Sequence, residues 1–271
     1  MKESQFKDDK IMRAKVISIV NQKGGVGKTT TAVNLATIMA VMNKKVLLID
    51  LDSQGNSSSG LGIKHDKRGV NIYHVLCGHE SIDKAIIETE IPYLFIVSSN
   101  INLAAAEMDL IKLVNREKVL KNSLGSPIDN FDYIIIDCPP SLNLLTINAL
   151  VASKEVIIPM LCDFYSLEGL SHLLKTIEIV RKGLNPDIKI GGVLFTMYDK
   201  RNKLTEQVES DVRTCLGKIV FNTTIPRNIK LSEAPSHGKS AIIYDYKCLG
   251  SQAYINLAKE LMAKENSLAV A

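Results

Sequence analysis

The chain has 271 residues, 46% hydrophobic and 23% charged, with a net charge of +4 and five cysteines. That length suits one large core, no apolar run approaches a membrane span, and the charged start "MKESQFKDDKIMRA" is unlike a signal peptide. Cys77, Cys138, Cys162, Cys215 and Cys248 form no C-x-x-C pair or metal-ligand spacing, which argues against a disulfide framework or zinc site and for a reducing cytoplasm.

Residues 1–13 read as a flexible polar tail and 14–271 as a single domain. The first strand, "KVISIV" (15–20), runs into "NQKGGVGKTTT" and a helix over 28–42. The pattern G-x-x-x-x-G-K-[ST] places Gly27, Lys28 and Thr29, but Gln22 stands where its first glycine belongs, and Lys23 adds a second cation. Gly24, Gly25 and Gly27 let backbone amides close on an anion. The helix opening near Lys28 aims unbonded N–H groups and its positive dipole end the same way. Gly24, Gly25, Val26, Gly27, Lys28, Thr29 and Thr30 therefore read as a phosphate cradle, with Lys28 at the β/γ-phosphates and the Thr29 hydroxyl set for Mg²⁺. For Lys23 the residues alone leave two roles open, a solvated loop position or a phosphate ligand.

The next strand, "KVLLIDLD" (45–52), carries Asp50 and Asp52 on one side. Asp52 lies further out, before "SQGNSSSG", and reads as the group that touches Mg²⁺ or the attacking water. Asp50 reads as its hydrogen-bonding neighbour. A strand over 93–99, a helix over 103–122 and a strand over 133–140 follow. Asp137 ends "YIIID", where ligands sit in parallel sheets, and a Mg²⁺-associated role is favoured over a buried carboxylate without a partner. The remaining elements are a helix at 141–152, a strand at 155–161, a helix at 167–183, a strand at 188–198, a helix at 203–216, a strand at 219–226 and a last helix at 249–265. Continuously apolar strands alternating with helices predict a doubly wound α/β fold, a mainly parallel sheet with helices on both faces.

Between Arg181 and Lys247 twelve Lys/Arg face seven Asp/Glu. Such a surface suits an anionic partner, although charge alone favours ordinary solvated lysines. In the tail, positions 255, 257, 258, 261 and 262 make a core-facing stripe rather than a basic membrane amphipath.

Five blocks, "NQKGGVGKTTTAVNLA", "LLIDLDSQGNSSSGLG", "YIIIDCPPSLNLLTINAL", "VLFTMYDKRNKL" and "IPRNIKLSEAPSHGKS", are similar to the ParA/Soj family of deviant Walker A, P-loop ATPases. That family partitions bacterial chromosomes and plasmids, and the likeness runs from about residue 14 to about 262. The resemblance implies ATP and Mg²⁺ as cofactors, an ATP-dependent homodimer, and a Lys23 that reaches the nucleotide of the partner subunit. It matches Asp52 to the switch I aspartate, Asp137 to the Walker B aspartate, and Pro226, Arg227 and Asn228 to the segment beside the adenine; by themselves these three read as a strand-to-helix turn. It further implies nonspecific double-stranded DNA binding on the nucleoid, with Lys200, Arg201, Lys203, Arg213, Lys218, Arg227, Lys230 and Lys239 as candidate contacts. A ParB-like protein would stimulate hydrolysis. No residue offers itself as a strong general base, so Lys28, Lys23 and Asp52 are expected to support slow intrinsic turnover. MinD-like relatives share the loop but carry a membrane-binding tail that this chain does not match. A regulatory ATPase switched by nucleotide is the other reading.

Overall fold

Alternate residues of the central strands enter two separate cores. Val16, Leu47, Ile49, Ile134, Ile136, Val156 and Ile158 pack into one, and Ile17, Ile19, Leu48, Ile135, Ile157 and Leu194 into the other. Burial on both faces is what a parallel sheet wrapped by helices requires. The computed structural model describes residues 14–125 and 129–269; the tail expected over 1–13 lies outside the described residues.

The sheet has seven strands, β1 (Lys15–Ile19), β2 (Val46–Asp50), β3 (Ile86–Glu88), β4 (Leu94–Val97), β5 (Tyr133–Asp137), β6 (Glu155–Met160) and β7 (Lys189–Phe195). Their order is β3-β4-β2-β5-β1-β6-β7. Every pair is parallel except β3 with β4. Helices α1 (Lys28–Val41) and α12 (Leu249–Ala269) cover one face, with the short α2 (Asn56–Gly60), α10 (Ile229–Glu233) and α11 (Ala241–Tyr244) nearby. The other face carries α3 (Ile72–Leu76), α4 (Ile82–Ala85), α5 (Leu103–Leu110), α6 (Val119–Leu124), α7 (Leu144–Ala152), α8 (Phe164–Gly183) and α9 (Lys203–Leu216). Of the stripe expected on α12, Leu257, Ala258 and Leu261 are in the core at no more than 1% exposure, Ile255 and Met262 are half-buried, and Tyr254 joins the core beside them. Among the described residues no helix is long and apolar enough to cross a membrane.

Three expectations change. The run 219–226 is not a strand. Its Asn222 and Thr223 amides donate to the Glu260 carboxylate at 2.8 and 2.9 Å, which breaks its pairing alongside β7 into two isolated bridges, Val193↔Val220 in the strand and Tyr198↔Pro226 just past it. The single helix expected over 103–122 breaks between α5 and α6. Asn115 adopts φ 57, and the Asn148 side chain accepts from Leu120 N–H at 3.0 Å and donates to Arg116 O at 2.8 Å. Finally, β3 is an antiparallel edge strand only three residues long, too short to stand out as an apolar run.

Candidate functional site

The C-terminal ends of β2, β5 and β1 lie side by side, so the loops that leave them share one crevice. The loop after β1 is held from outside. Val26 is fully buried and its carbonyl accepts from Thr196 Oγ1 at 2.8 Å, while Asn21 Nδ2 donates to Pro159 O at 2.7 Å. Gly25 and Gly27 sit at φ 72 and 84, a left-handed region that favours glycine. Gly27 is the N-cap of α1 and no side chain caps the first turn. The amides there remain available to an anion, with the helix dipole behind them. Lys28 is only 7% exposed, and its Nζ donates to Lys23 O at 2.9 Å. Burial draws its ammonium below the usual value, opposed by the negative charge of Asp137 and Asp52.

Three carboxylates lie at or just past the ends of β2 and β5, and each is held differently. Asp50 and Asp137 are cross-strand neighbours and both are fully buried. Asp50 organises the following turn: its Oδ2 accepts from Ser58 N–H at 2.8 Å and Ser58 Oγ at 2.7 Å, and its Oδ1 from Asp52 N–H at 3.3 Å. Asp137 Oδ2 accepts from Ser57 Oγ at 2.8 Å, and the Thr29 hydroxyl is close enough to favour its charged form. Among the described residues, Asp137 Oδ1 is buried with no hydrogen-bond partner. Asp52 is 9% exposed at the rim and accepts from Gln54 N–H at 3.0 Å. The orphaned Asp137 oxygen beside a threonine hydroxyl fits a hard divalent cation. Among the described residues no group of three or more His, Cys, Asp or Glu is arranged to hold a metal unaided. Mg²⁺ here would rely on one or two of these oxygens, with phosphate and water completing its shell.

The buried pair has a consequence for stability. Burial raises Asp137 to about 7, with the Asp50 charge adding to the effect, and raises Asp50 to about 6. An unfolded aspartate releases its proton near pH 4. Between about pH 4 and 7 the ligand-free folded state therefore binds more protons than the unfolded chain, and this pair makes stability fall as pH rises. Urea unfolding of ligand-free protein across that window is expected to show wild type losing stability relative to Asp137→Asn, levelling off above about pH 7. A pH-independent difference between the two proteins would reject the raised pair.

Both departures of the loop from the standard pattern contact α8. Gln22 Nε2 donates to Gly169 O at 3.4 Å. Lys23 Nζ sits 2.6 Å from Asp163 Oδ2, with the two side chains 37% and 34% exposed. Asp163 is also the N-cap of α8, accepting from Ser166 N–H at 2.9 Å. Lys23 Nζ is thus engaged at the N-cap of α8, while Lys28 Nζ folds back onto the loop at Lys23 O.

Pro226 bridges Tyr198, which sets Arg227 beside Asp199, and the Asn228 side chain caps α10 by accepting from Lys230 N–H at 2.9 Å. Lys200, Arg201, Lys203, Arg227 and Lys239 are exposed. Arg201 pairs with Asp199 at 2.7 Å and Lys230 with Glu233 at 2.8 Å. Two candidates stand apart. Arg213 is half-buried, paired with Glu209 at 2.7 Å and donating to Phe221 O at 3.0 Å. Lys218 is exposed beyond the far end of α9, whose 14 residues span about 20 Å from Lys203 at 1.5 Å per residue.

Sequence reasoning missed Ser57, Thr196, Asp163 and Arg68. Only Ser57 had a local signal, the polar run before α2. A cavity of about 250 Å³ opens beside Thr29 and Thr30, between α1, α2 and the segment carrying Lys239. A separate apolar groove of about 900 Å³ lies between α8 and α9 and includes none of the loop or carboxylate residues.

With this geometry in hand, known proteins give a consistent match. A family profile described as an AAA domain matches residues 14–190. The chromosome partitioning protein ParA of Caulobacter vibrioides (strain NA1000 / CB15N) is 48% identical over 253 residues, covering 93% of this chain and 95% of that protein. The sporulation initiation inhibitor protein Soj of Bacillus subtilis (strain 168) is 50% identical over 249 residues, covering 92% and 98%. Among solved structures, cobyrinic acid a,c-diamide synthase from Mycobacterium smegmatis with bound ADP and magnesium superposes with a TM-score of 0.82 at 35% identity, covering 94% and 96%.

Proposed function

The chain belongs to the ParA/Soj family of chromosome-partitioning ATPases, and from that membership we propose that it is an ATP-switched DNA-partitioning protein. It binds ATP and Mg²⁺, pairs with a second copy, holds double-stranded DNA without sequence preference, and is reset by hydrolysis that a ParB-like protein stimulates. The observation that carries the reading is the division of labour between two lysines. Lys28 is buried in the cradle of its own subunit, while Lys23 is directed out of it onto a partly exposed carboxylate. An ion pair that exposed contributes about 0–1 kcal/mol, so Lys23 leaves Asp163 at little cost. A second copy facing the crevice would present phosphates whose density of negative charge a cation offsets far better.

In the proposed reaction, phosphoryl transfer to water, the work is positioning and charge stabilisation. Bound Mg²⁺ would neutralise charge across the β- and γ-phosphate oxygens. Lys28 and the amides of Gly24–Thr30 hold the phosphates, with the Thr29 hydroxyl and Asp137 on the cation side. Asp52, at the rim, orients the attacking water, and Lys23 of the opposite subunit stabilises developing charge. None of these is a strong base, which fits slow turnover. Lys200, Arg201, Lys203, Arg227, Lys230 and Lys239 form the DNA-facing group; these are phosphate contacts, without base readout. Pro226, Arg227 and Asn228 flank the adenine. The partitioning relatives at 48% and 50% identity outweigh the synthase likeness at 35%.

Binding to a random-sequence duplex over a salt series tests this. Wild type is expected to bind only with ATP and Mg²⁺, and to lose roughly a thousandfold in affinity between about 50 and 200 mM salt if six or more phosphates are neutralised. Lys23→Gln should keep ATP affinity yet stay monomeric by light scattering and fail to bind DNA. Absence of ATP-dependent DNA binding at low salt would overturn the reading, as would a Lys23→Gln protein that dimerises and hydrolyses normally.

A further inference from the structure

Arg68 lies in the connection between α2 and α3, outside every motif described above, yet it is among the most deeply buried charges in the protein, 3% exposed. Its guanidinium makes five hydrogen bonds. Nε and Nη2 donate to Ile63 O at 3.1 and 2.7 Å, Nη2 to Ser59 Oγ at 2.9 Å, and Nη1 to Ser99 O at 3.2 Å and Gly55 O at 3.5 Å. Among the described residues it has no ion pair with a carboxylate. A buried cation without such a pair is costly unless its donors are used, and here all the acceptors belong to two places. Gly55, Ser59 and Ile63 lie on the segment that leaves Asp52, and Ser99 lies just past the end of β4. The fork of a guanidinium reaches several carbonyls at once, which a lysine ammonium or an apolar side chain cannot do.

The contact is also close. A Cβ at Gly55 would lie 2.5 Å from Nη1, and Gly55 takes φ 64. Two further ties hold the same segment, Ser58 to Asp50 and Ser57 to Asp137. Ser99 N–H donates to Ser58 Oγ at 3.1 Å, so both sides of the clamp end on β4. The phosphate loop makes no hydrogen bond to Arg68.

From this we infer that Arg68 is a positioning residue for the reaction: its guanidinium braces Gly55–Ile63 against the end of β4 and so fixes Asp52 and Ser57 at the phosphate end of the crevice. The inference rests on the ATPase reading above. It separates two properties that a general loss of stability would move together. Nucleotide affinity depends on the loop around Lys28, which the brace does not touch. Turnover depends on the segment that the brace holds.

The test uses the full chain as wild type, Arg68→Lys, Arg68→Ala and Ser59→Ala. Turnover is read in steady state, nucleotide affinity with a fluorescent ADP analogue, and segment order by amide hydrogen exchange. Arg68→Lys is expected to lower kcat by about 10- to 100-fold, the scale of an ångström-sized misplacement, with nucleotide Kd unchanged. Millimolar guanidinium should recover part of the turnover of Arg68→Ala and leave wild type unaffected. Exchange should rise over 55–63 and not in β1 or β5. Ser59→Ala, which removes one of the five bonds and leaves the arginine in place, should show the same split to a smaller degree, and keeps the test decisive if Arg68→Ala does not fold. Wild-type kcat in Arg68→Lys would overturn the inference, as would parallel loss of affinity and turnover without guanidinium recovery. If wild type hydrolyses no ATP, the ATPase reading has failed instead, and exchange over 55–63 alone decides whether the brace exists.

Discussion

Lys28→Gln is expected to weaken nucleotide binding by about 100-fold or more and to reduce hydrolysis to background, because removing one partner of a buried charged contact costs on the order of 2–5 kcal/mol. Lys28 is 7% exposed at the start of α1, and Asp137 and Asp52 contribute negative charge around it. Glutamine reaches less far and brings no charge to meet the phosphates. The uncapped amides of α1 remain, so residual binding should survive at high nucleotide concentration. Titration with a fluorescent nucleotide measures the loss directly. Affinity within a fewfold of wild type would show that the phosphates are not held at this loop.

Asp52→Ala is expected to give the opposite pattern, with ATP affinity near wild type and turnover lower by roughly 100-fold or more, the range for a group that handles the attacking water. Asp52 sits at the rim with Gln54 N–H as its hydrogen-bond donor, whereas Asp50 is wholly buried and engaged with Ser58. A protein that binds ATP but seldom hydrolyses it should accumulate as the dimer and stay on DNA. Turnover, affinity and DNA retention measured together check this. Unchanged turnover would remove Asp52 from the reaction, and lost affinity would make it part of the binding cradle instead.

How far these roles could be read beforehand depends on whether the determinant is local. The strands at 15–20 and 133–140 stand out because burial on both faces leaves a continuous apolar run. The start of α9 at Lys203 is where the sequence puts it, after Asn202, a capping residue whose side chain accepts from Leu204 N–H. The phosphate loop is legible for the same reason, since its glycines, lysine and threonine are consecutive. The roles of Asp163 and Arg68 are not local. Lys23 and Asp163 are 140 residues apart, and Arg68 reaches Ser99 across 31. No spacing rule connects them. The 219–226 run misled because its composition suits a strand, while a distant carboxylate, Glu260, takes its amides.

The borders of the sheet limit how two copies can meet. On one side the outermost strand, β3, is three residues long and antiparallel. On the other, the outer rim of β7 is already occupied, because Phe221 N–H donates to Val193 O at 3.0 Å and Ile225 N–H to Phe195 O at 2.8 Å. Open strand edges are the usual template for joining chains by sheet extension, and neither border offers more than a few unsatisfied groups. A second copy joined by strand addition would gain few main-chain hydrogen bonds. The proposed pairing, through the end of the sheet that carries Lys23, Asp52 and the α1 amides, would draw on neither border.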